Sequence, residues 1–200
     1  MLDISEIFLS LQGEGWRQGI PAIFIRFYGC NLQCRFCDTP IAFIKKRSMD
    51  EESILKKVKT ISAGRIKNII ITGGEPYLQN FTALVRNLKQ NGFSIAVETN
   101  GTIWRKIPID WICVSPKKEA KEISPTGYDN RFKKIANEFR YIITKKQDFA
   151  FIDKTITRPV ILQPINNDIK IALIISDEIK KHGMPNWFLR FQMHKLMGIL

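Results

Sequence analysis

Three of the four cysteines in the sequence, Cys30, Cys34 and Cys37, stand within eight residues of one another. Thiolates are soft ligands that suit zinc or the iron of iron–sulfur clusters. Three are too few for a closed structural zinc site, which takes four ligands, and the histidines, His182 and His194, are far away in the sequence. The C-x3-C-x2-C spacing therefore favours an iron–sulfur cluster with one iron left open for a small molecule. A zinc loop or a chance grouping of cysteines remains the alternative.

The segments that must position these cysteines alternate between strands and helices. Apolar and β-branched runs bounded by turn residues predict strands over residues 21–28, 67–72, 93–97, 111–114, 141–143, 160–162 and 187–191. Helical spacing of apolar residues predicts helices after a capping box at residues 48–51, over residues 81–88 and over residues 169–181. This alternation predicts an α/β fold with a parallel sheet and covering helices. Residues 118–137 are expected to form a loop or short helices.

Residues suited to ligand binding follow the C-terminal ends of these predicted strands. Gly73-Gly74 follows the strand at 67–72, Glu98 to Asn100 follow the strand at 93–97, and Ser115 follows the strand at 111–114. In barrels built from parallel strands, the chemistry lies at this end of the sheet. The remaining cysteine, Cys113, lies inside a predicted strand and is expected to pack in the core.

The length and composition of the chain predict one domain over residues 1–200, because no repeat or linker marks a boundary. The formal net charge of +12 raises the question of nucleic-acid binding. Its basic residues are dispersed rather than set among aromatic ones, which favours a solvated surface without direct nucleic-acid contact. The sequence has neither a secretion signal nor an apolar run that would span a bilayer. We therefore expect a cytoplasmic protein without membrane contact.

The cysteine spacing, with Phe36 before the last cysteine, resembles the radical S-adenosylmethionine (SAM) superfamily. The segment Gly73-Gly74-Glu75-Pro76 resembles the part of that superfamily that contacts the SAM amino group. This resemblance implies a [4Fe–4S] cluster on Cys30, Cys34 and Cys37, with SAM bound at the open iron and cleaved reductively to an adenosyl radical. It also implies an α/β fold of the radical SAM type, a partial, open TIM-like barrel of parallel strands with outer helices.

Within that superfamily, the chain resembles the 7-carboxy-7-deazaguanine synthase family most specifically. That family converts 6-carboxy-5,6,7,8-tetrahydropterin to 7-carboxy-7-deazaguanine with release of ammonia, a lyase step in 7-deazapurine (queuosine-type) biosynthesis. The resemblance extends over most of the chain and is loose only at residues 119–147. The matching segments are Ser10-Leu11-Gln12-Gly13-Glu14-Gly15, Phe24-Ile25-Arg26, Cys37-Asp38-Thr39, Glu98-Thr99-Asn100-Gly101, Ser115-Pro116-Lys117, Leu162-Gln163-Pro164 and Gln192-Met193-His194-Lys195.

The resemblance divides the remaining candidate residues between two ligands. The candidates for SAM are Phe36, Gly73, Gly74, Glu75, Thr99, Asn100, Ser115, Lys117 and Gln163. The candidates for the substrate are Gln12, Glu14, Arg26, Glu98 and His194. Arg26 stands in an otherwise apolar strand, and a guanidinium can hold a carboxylate through two parallel hydrogen bonds. A structural ion pair between Arg26 and an acidic residue is the alternative.

The resemblance also implies Mg2+, held through the Thr39 hydroxyl near the substrate carboxylate. The resemblance assigns the chemical step to the cluster and SAM, and it assigns no side chain a direct catalytic role. The expected partners are the small pterin substrate, an electron donor such as a flavodoxin or ferredoxin, and a second copy of the chain in a homodimer.

Two other functions stay open on the sequence alone. Another small radical SAM enzyme, such as a glycyl-radical activase, would use the same cysteines without a pocket that needs Arg26. A basic RNA-binding module would use the cysteines for a zinc loop. Oxygen-free purification separates these alternatives, because a cluster makes the protein brown whereas a zinc protein is colourless.

Overall fold

The computed structural model describes residues 1–35, 37 and 39–199. Its strands are β1 (Leu2–Leu11), β2 (Pro21–Phe27), β3 (Arg47–Met49), β4 (Asn68–Gly73), β5 (Ser94–Thr99), β6 (Trp111–Val114), β7 (Glu138–Ile143), β8 (Val160–Pro164) and β9 (Trp187–Leu189). Within the described residues they form one sheet in the order β3-β1-β2-β4-β5-β6-β7-β8-β9. β1 is antiparallel to β2 and β3, and every pairing from β2 to β9 is parallel. The predicted open, mainly parallel α/β sheet is confirmed.

Helices lie between several of the strands and after β9. They are α1 (Ile41–Ile44), α2 (Glu51–Ser62), α3 (Thr82–Gln90), α4 (Phe132–Ile135), α5 (Ile169–His182) and α6 (Met193–Met197). The stretch at residues 118–137 contains a single-turn 3-10 helix and the short α4, as the sequence predicted. In the described part of the chain, none of the helices has both the length and the apolar character needed to cross a bilayer.

Several features of the N-terminal third differ from the sequence prediction, among them the short α1 and β3, which were not predicted. The long strand β1 was not predicted, because Asp3, Ser5 and Glu6 interrupt the alternation of its apolar residues. The structure accommodates this interruption through a shift of register between Ile4 and Glu6. The predicted capping box at residues 48–51 was wrong in its capping residue. Asp50 begins α2 by accepting a hydrogen bond of 2.6 Å from the Ser53 amide.

The two faces of the sheet carry different residues. The face covered by helices holds the main core, with fully buried side chains such as Ile25, Ile71 and Val97. The opposite face, called here the inner face, holds a small apolar cluster of Ala22, Phe24, Ile70 and Ala96. Side chains alternate along a strand, so the next inner-face positions toward the strand ends are Arg26, Thr72 and Glu98. The inner face therefore changes from apolar to polar toward the C-terminal ends of the strands.

The strand register aligns these polar residues in one row. Arg26 pairs with Glu6 on one side and with Thr72 on the other. Thr72 donates a hydrogen bond of 3.0 Å to Glu98, and Glu98 pairs in register with Cys113, which pairs with Glu138. The row Glu6, Arg26, Thr72, Glu98, Cys113, Glu138, called here the polar row, crosses six neighbouring strands.

The main core holds the strands in this arrangement, and its contribution to the free energy of unfolding can be measured. Leu84 on α3 is 0% exposed, whereas Leu173 on α5 is 62% exposed. Leu84→Ala should lower the free energy of unfolding by about 2–5 kcal/mol, because it removes buried apolar surface and leaves a cavity. Leu173→Ala is the matched control and should change it by less than about 0.5 kcal/mol in urea denaturation. Equal losses in the two variants would contradict this assignment of the core.

Candidate active site

One cavity of about 530 Å3 lies where the parallel strands end, against the polar part of the inner face. Its wall includes most of the residues that the sequence singled out, although they come from distant parts of the chain. The predicted site residues that line it are Gln12, Glu14, Arg26, Cys30, Cys34, Cys37, Thr39, Gly73, Gly74, Glu98, Thr99, Asn100, Ser115, Lys117 and His194. The cavity therefore joins the cysteine loop to the residues expected to bind two organic ligands.

The cysteine loop follows directly after β2. Cys30 and Cys34 are partly buried, and Cys37 is exposed. Burial raises the pKa of Cys30 and raises that of Cys34 to about 11, so both thiols must lose a proton when they bind a metal. In the described ranges, no three ligand-type side chains have already converged to the spacing of a metal site. Three soft donors that border one cavity nevertheless have the chemistry that a three-thiolate cluster requires.

Asn100 holds the start of this loop. Its side-chain amide donates to the Asn31 amide oxygen at 3.0 Å and to the Cys30 sulfur at 3.9 Å. Asn31 in turn donates to the Thr102 hydroxyl at 2.9 Å. The end of β5 therefore orients the first cysteine, and the Asn100 side chain is committed to the loop.

The paired glycines after β4 permit a close approach between two strand ends. A Cβ on Gly74 would lie 2.0 Å from the Gly29 carbonyl oxygen, and one on Gly73 would lie 2.2 Å from the Phe27 carbonyl oxygen. Gly73 also has a φ of 134°, which side chains disfavour. Glycine is required here because the backbone of β4 packs directly against the residues that lead into the cysteine loop.

Glu75 lies behind the wall of the cavity. It is 0% exposed and is not among the residues that line the cavity. Its carboxylate accepts hydrogen bonds from the Tyr77 amide at 2.9 Å, the Thr99 hydroxyl at 2.8 Å and the Asn100 amide at 2.7 Å. Burial raises the pKa of Glu75 to about 7, against these hydrogen bonds. The side chain therefore braces the ends of β4 and β5 from behind the cavity wall.

The other SAM candidates divide into three groups. Ser115 and Lys117 line the cavity and are joined by a hydrogen bond of 2.7 Å. Gln163 is 1% exposed and does not line the cavity, and its amide donates to Glu14 at 3.2 Å. Phe36 lies outside the described residues. Gln163 therefore supports a substrate candidate in this structure, a role that the sequence did not predict.

Arg26 extends from β2 into the cavity and has an acidic partner. Its Nε donates to Glu6 at 2.7 Å, and its guanidinium lies over the Phe8 ring, 5.6 Å from the ring centre. Both partners also line the cavity. The structural ion pair that the sequence left open is therefore present. Among the described residues, the two terminal nitrogens of Arg26 have no acceptor.

Arg140 is a site residue that sequence reasoning missed. It lines the cavity from β7 and forms ion pairs with Glu14 at 2.5 Å and Glu98 at 3.1 Å. A charged residue between the core residues Phe139 and Tyr141 was the available signal, the same signal that drew attention to Arg26. It was overlooked because β7 lies in the stretch where the family resemblance is loose.

The C-terminal segment packs against the N-terminal Gly-rich loop. The Met193 amide donates to the Gly13 carbonyl at 2.8 Å. A Cβ on Gly13 would lie 2.2 Å from the His194 ring nitrogen Nδ1. Gln18 donates to the carbonyls of Gly13 at 3.0 Å and Phe191 at 2.9 Å. His194 and Ile199 line the cavity, so this segment forms part of its wall.

Comparisons with known proteins bear on this combination of fold and cavity. Residues 24–149 match the model of the radical SAM superfamily. A protein named 7-carboxy-7-deazaguanine synthase from Bacteroides thetaiotaomicron is 38% identical, and the alignment covers 100% of this chain and 99% of the relative. The protein of the same name from Haemophilus influenzae is 37% identical, over 98% and 93% of the two chains.

The chain belongs to the radical SAM superfamily and, within it, to the 7-carboxy-7-deazaguanine synthase family. A solved structure agrees, since the crystal structure of QueE from Escherichia coli superposes with a TM-score of 0.80 at 30% identity, over 96% and 94% of the two chains. A structure of TYW1 with a lysine–pyruvate adduct bound shares the fold, with a TM-score of 0.60 at 16% identity over 80% and 72% of the two chains.

Membership in the 7-carboxy-7-deazaguanine synthase family has direct consequences for the sequence predictions. The radical SAM type of open barrel is confirmed, and the family uses a [4Fe–4S] cluster and SAM. The same membership favours the synthase over a glycyl-radical activase or a zinc-loop RNA-binding module.

The brace at Glu75 generates a testable prediction. In Glu75→Gln, one orientation of the amide points its N–H groups at the Asn100 amide, and the other points them at the Tyr77 amide, so a buried donor always faces a donor. We expect the free energy of unfolding to fall by about 1–3 kcal/mol, and iron content after oxygen-free reconstitution to fall because Asn100 no longer fixes the cysteine loop. Glu122→Gln, at an exposed position, is the control. Wild-type iron content and stability in Glu75→Gln would refute the brace.

Proposed function

We propose that this chain converts 6-carboxy-5,6,7,8-tetrahydropterin to 7-carboxy-7-deazaguanine with release of ammonia. The observation that carries the proposal is the single cavity that the three cysteines share with Arg26, Glu14 and Glu98. A cluster-bound SAM and a small substrate need such a common space, because the reacting atoms must come close together. Full-length relatives of the same name support the specific reaction.

The substrate would lie between two charged groups of the cavity wall. Its carboxylate would bind the terminal nitrogens of Arg26, since a guanidinium offers parallel donors. Its ring N–H groups would be held by Glu14 and Glu98, which accept hydrogen bonds, and by Gln12 and His194. The apolar side chains of the inner face next to these groups would pack against the ring.

SAM would occupy the part of the cavity nearest the cysteine loop. Gly73 and Gly74 line this part of the cavity, and Lys117 and Ser115 suit the carboxylate of SAM. The cluster, when bound on Cys30, Cys34 and Cys37, supplies the electron that cleaves SAM. The protein itself orients both ligands and keeps water from the reacting centre.

Several partner assignments belong to this proposal. Mg2+ would bind through Thr39, because this ion takes few protein ligands and keeps several waters. An electron donor such as a flavodoxin or ferredoxin would approach the exposed Cys37. A homodimer is supported by exposed apolar side chains such as Ile123 and Ile135, which are 54% and 41% exposed. The four free thiols fit the reducing cytoplasm, and the whole chain would act as one domain.

The decisive experiment supplies the proposed substrate to the loaded enzyme. Protein reconstituted with iron and sulfide under oxygen-free conditions, then reduced and given SAM, Mg2+ and the carboxy-tetrahydropterin, should form 7-carboxy-7-deazaguanine and ammonia. A triple variant with Cys30, Cys34 and Cys37 changed to Ala should bind no cluster and form no product. If the cluster-loaded wild type cleaves SAM but leaves the pterin unchanged, the proposed substrate is wrong.

A second prediction concerns Arg26. Arg26→Ala should keep the cluster and the reductive cleavage of SAM, but should weaken pterin binding by about 10-fold to 200-fold, because a charge-assisted hydrogen bond contributes about 1.5–3 kcal/mol. Equilibrium binding to the SAM-loaded protein measures this effect. Arg86→Ala, at an exposed position on α3, should bind the pterin like wild type. Unchanged affinity in Arg26→Ala would remove Arg26 from the substrate site.

A further inference from the structure

Arg140 occupies the centre of a buried charge cluster on the inner face. Its neighbours in β7, Phe139 and Tyr141, point into the main core and are 0% and 2% exposed. The Arg140 side chain points to the opposite face and is 9% exposed. Its Nη1 atom bonds to both Glu14 and Glu98. One guanidinium nitrogen therefore joins two carboxylates, one from the loop after β1 and one from β5.

The two carboxylates are almost fully bonded to the protein. Glu14 Oε1 accepts from the amides of Gln163 and Gln192, and its Oε2 accepts from Arg140. Such an arrangement uses three of the roughly four acceptor positions of a carboxylate. About one position of Glu14 is left to face a ligand in the cavity.

Glu98 repeats this pattern. Its Oε1 accepts from the Gln12 amide at 3.0 Å and from Arg140, and its Oε2 accepts from the Thr72 hydroxyl at 3.0 Å. About one acceptor position again remains for a ligand. Hydrogen bonds within the protein therefore hold both carboxylates in place, and each carboxylate keeps about one acceptor position for a ligand.

Among the described residues, Arg140 is the cation that is bonded to these two carboxylates. Two carboxylates that bond to the same nitrogen repel each other strongly when water is excluded, and without a counter-ion one of them would take up a proton. Burial alone would raise the pKa of Glu98, but the charge and hydrogen bond of Arg140, together with the hydrogen bonds from Gln12 and Thr72, outweigh burial, so this pKa is lowered. The same two carboxylates raise the pKa of Arg140 well above its usual value, against its own burial.

We propose that Arg140 is a positioning residue that keeps both Glu14 and Glu98 ionised and oriented, so that each presents a hydrogen-bond acceptor to the substrate. The inference rests on the proposed function, because the N–H groups to be recognised are those of the pterin ring. Arg140 acts through the two carboxylates, and the substrate carboxylate is left to Arg26. A protonated Glu14 or Glu98 would present a donor to a ring N–H group and would repel it.

Within the part of the chain that the structure describes, the other ionisable groups near the pair form no ion pair with Glu14 or Glu98 and do not replace Arg140. Glu138 on β7 and Cys113 on β6 contribute negative or neutral groups to the same cluster. Burial raises the pKa of both. Arg26 and His194 line the same cavity, but Arg26 is paired with Glu6 and His194 packs against Gly13. Loss of Arg140 would therefore leave the two carboxylates without a bonded cation.

The test compares Arg140→Met, which removes the charge at similar length, with Arg140→Lys, which keeps it. Loaded enzymes are assayed for pterin turnover between pH 6 and pH 9. In Arg140→Met, the KM for the pterin should rise at least 10-fold more at pH 6 than at pH 9, relative to wild type, because two close carboxylates that have lost their shared cation take up a proton more readily at the lower pH. Arg140→Lys should keep the pH profile of wild type. Arg158→Met, at an exposed position, is the control.

A second readout is independent of turnover. Infrared difference spectra of the loaded proteins near pH 7 should show an additional protonated carboxyl band in Arg140→Met that is absent from Arg140→Lys. The band should disappear in the double variant Arg140→Met with Glu98→Gln, which again leaves one carboxylate without a close like charge. Absence of the band in a folded Arg140→Met, or a KM raised equally at every pH, would overturn the role of Arg140.

The two proposals fail in distinguishable ways. If wild type does not turn over the pterin but the infrared band appears as expected, the proposed substrate is wrong and the charge role of Arg140 stands. If wild type turns over the pterin and the Arg140 variants show neither effect, the proposed function stands and this inference is wrong.

Discussion

The parallel register of β2, β4, β5, β6 and β7 is the constraint on which the rest of the site depends. It aligns the polar row across the inner face, so that side chains far apart in sequence become neighbours on adjacent strands. A shift by one residue in any of these pairings would move a charged side chain into the apolar core. The many fully buried residues between the sheet and its helices oppose such a shift. The core thus specifies the site by fixing which strand positions can face the cavity.

Charge burial on the inner face is balanced by pairs and small networks. Arg26 pairs with Glu6, and Arg140 bridges Glu14 and Glu98. Buried charges are costly unless they are paired and hydrogen-bonded, and here the hydrogen bonds come from glutamine and threonine side chains around the carboxylates. The resulting cluster is a polar surface prepared before a ligand arrives, which is what recognition of a ring with several N–H groups requires.

The sequence predicted the parts of this structure that leave a local pattern. Strand runs such as residues 111–114 were recovered because continuous apolar residues reflect burial on both faces. The cysteine spacing and Gly73-Gly74 pointed to the correct end of the sheet because both are tied to strand ends. Glu75 and Gln163 were assigned to SAM by resemblance, yet their side chains lie behind the cavity wall. Which way a side chain points at a strand end depends on tertiary packing, and spacing in the sequence carries no record of it.

The ion-pair partners of the two arginines were the second feature of the site that the sequence could not predict. The sequence left open whether Arg26 binds a carboxylate of the substrate or pairs with an acidic residue, and only the register with β1 showed its pairing with Glu6. Arg140 forms an ion pair with Glu14, which lies far from it in the sequence, near the N-terminus. Ion pairs of this kind follow from topology, so a reader of the sequence could mark the arginines but could not match them to their acids.

The link between Gln192 and Glu14 joins residues 178 positions apart. Closing so long a loop has a larger entropic cost than pairing neighbouring strands, whereas the cysteine loop depends on β2, β4 and β5, which are close in sequence. The two halves of the cavity wall therefore form in different ways: the C-terminal segment must return to the N-terminal Gly-rich loop, whereas the wall at the cysteine loop is built by neighbouring strands. The part of the wall that includes His194 is complete only when these two distant segments have met.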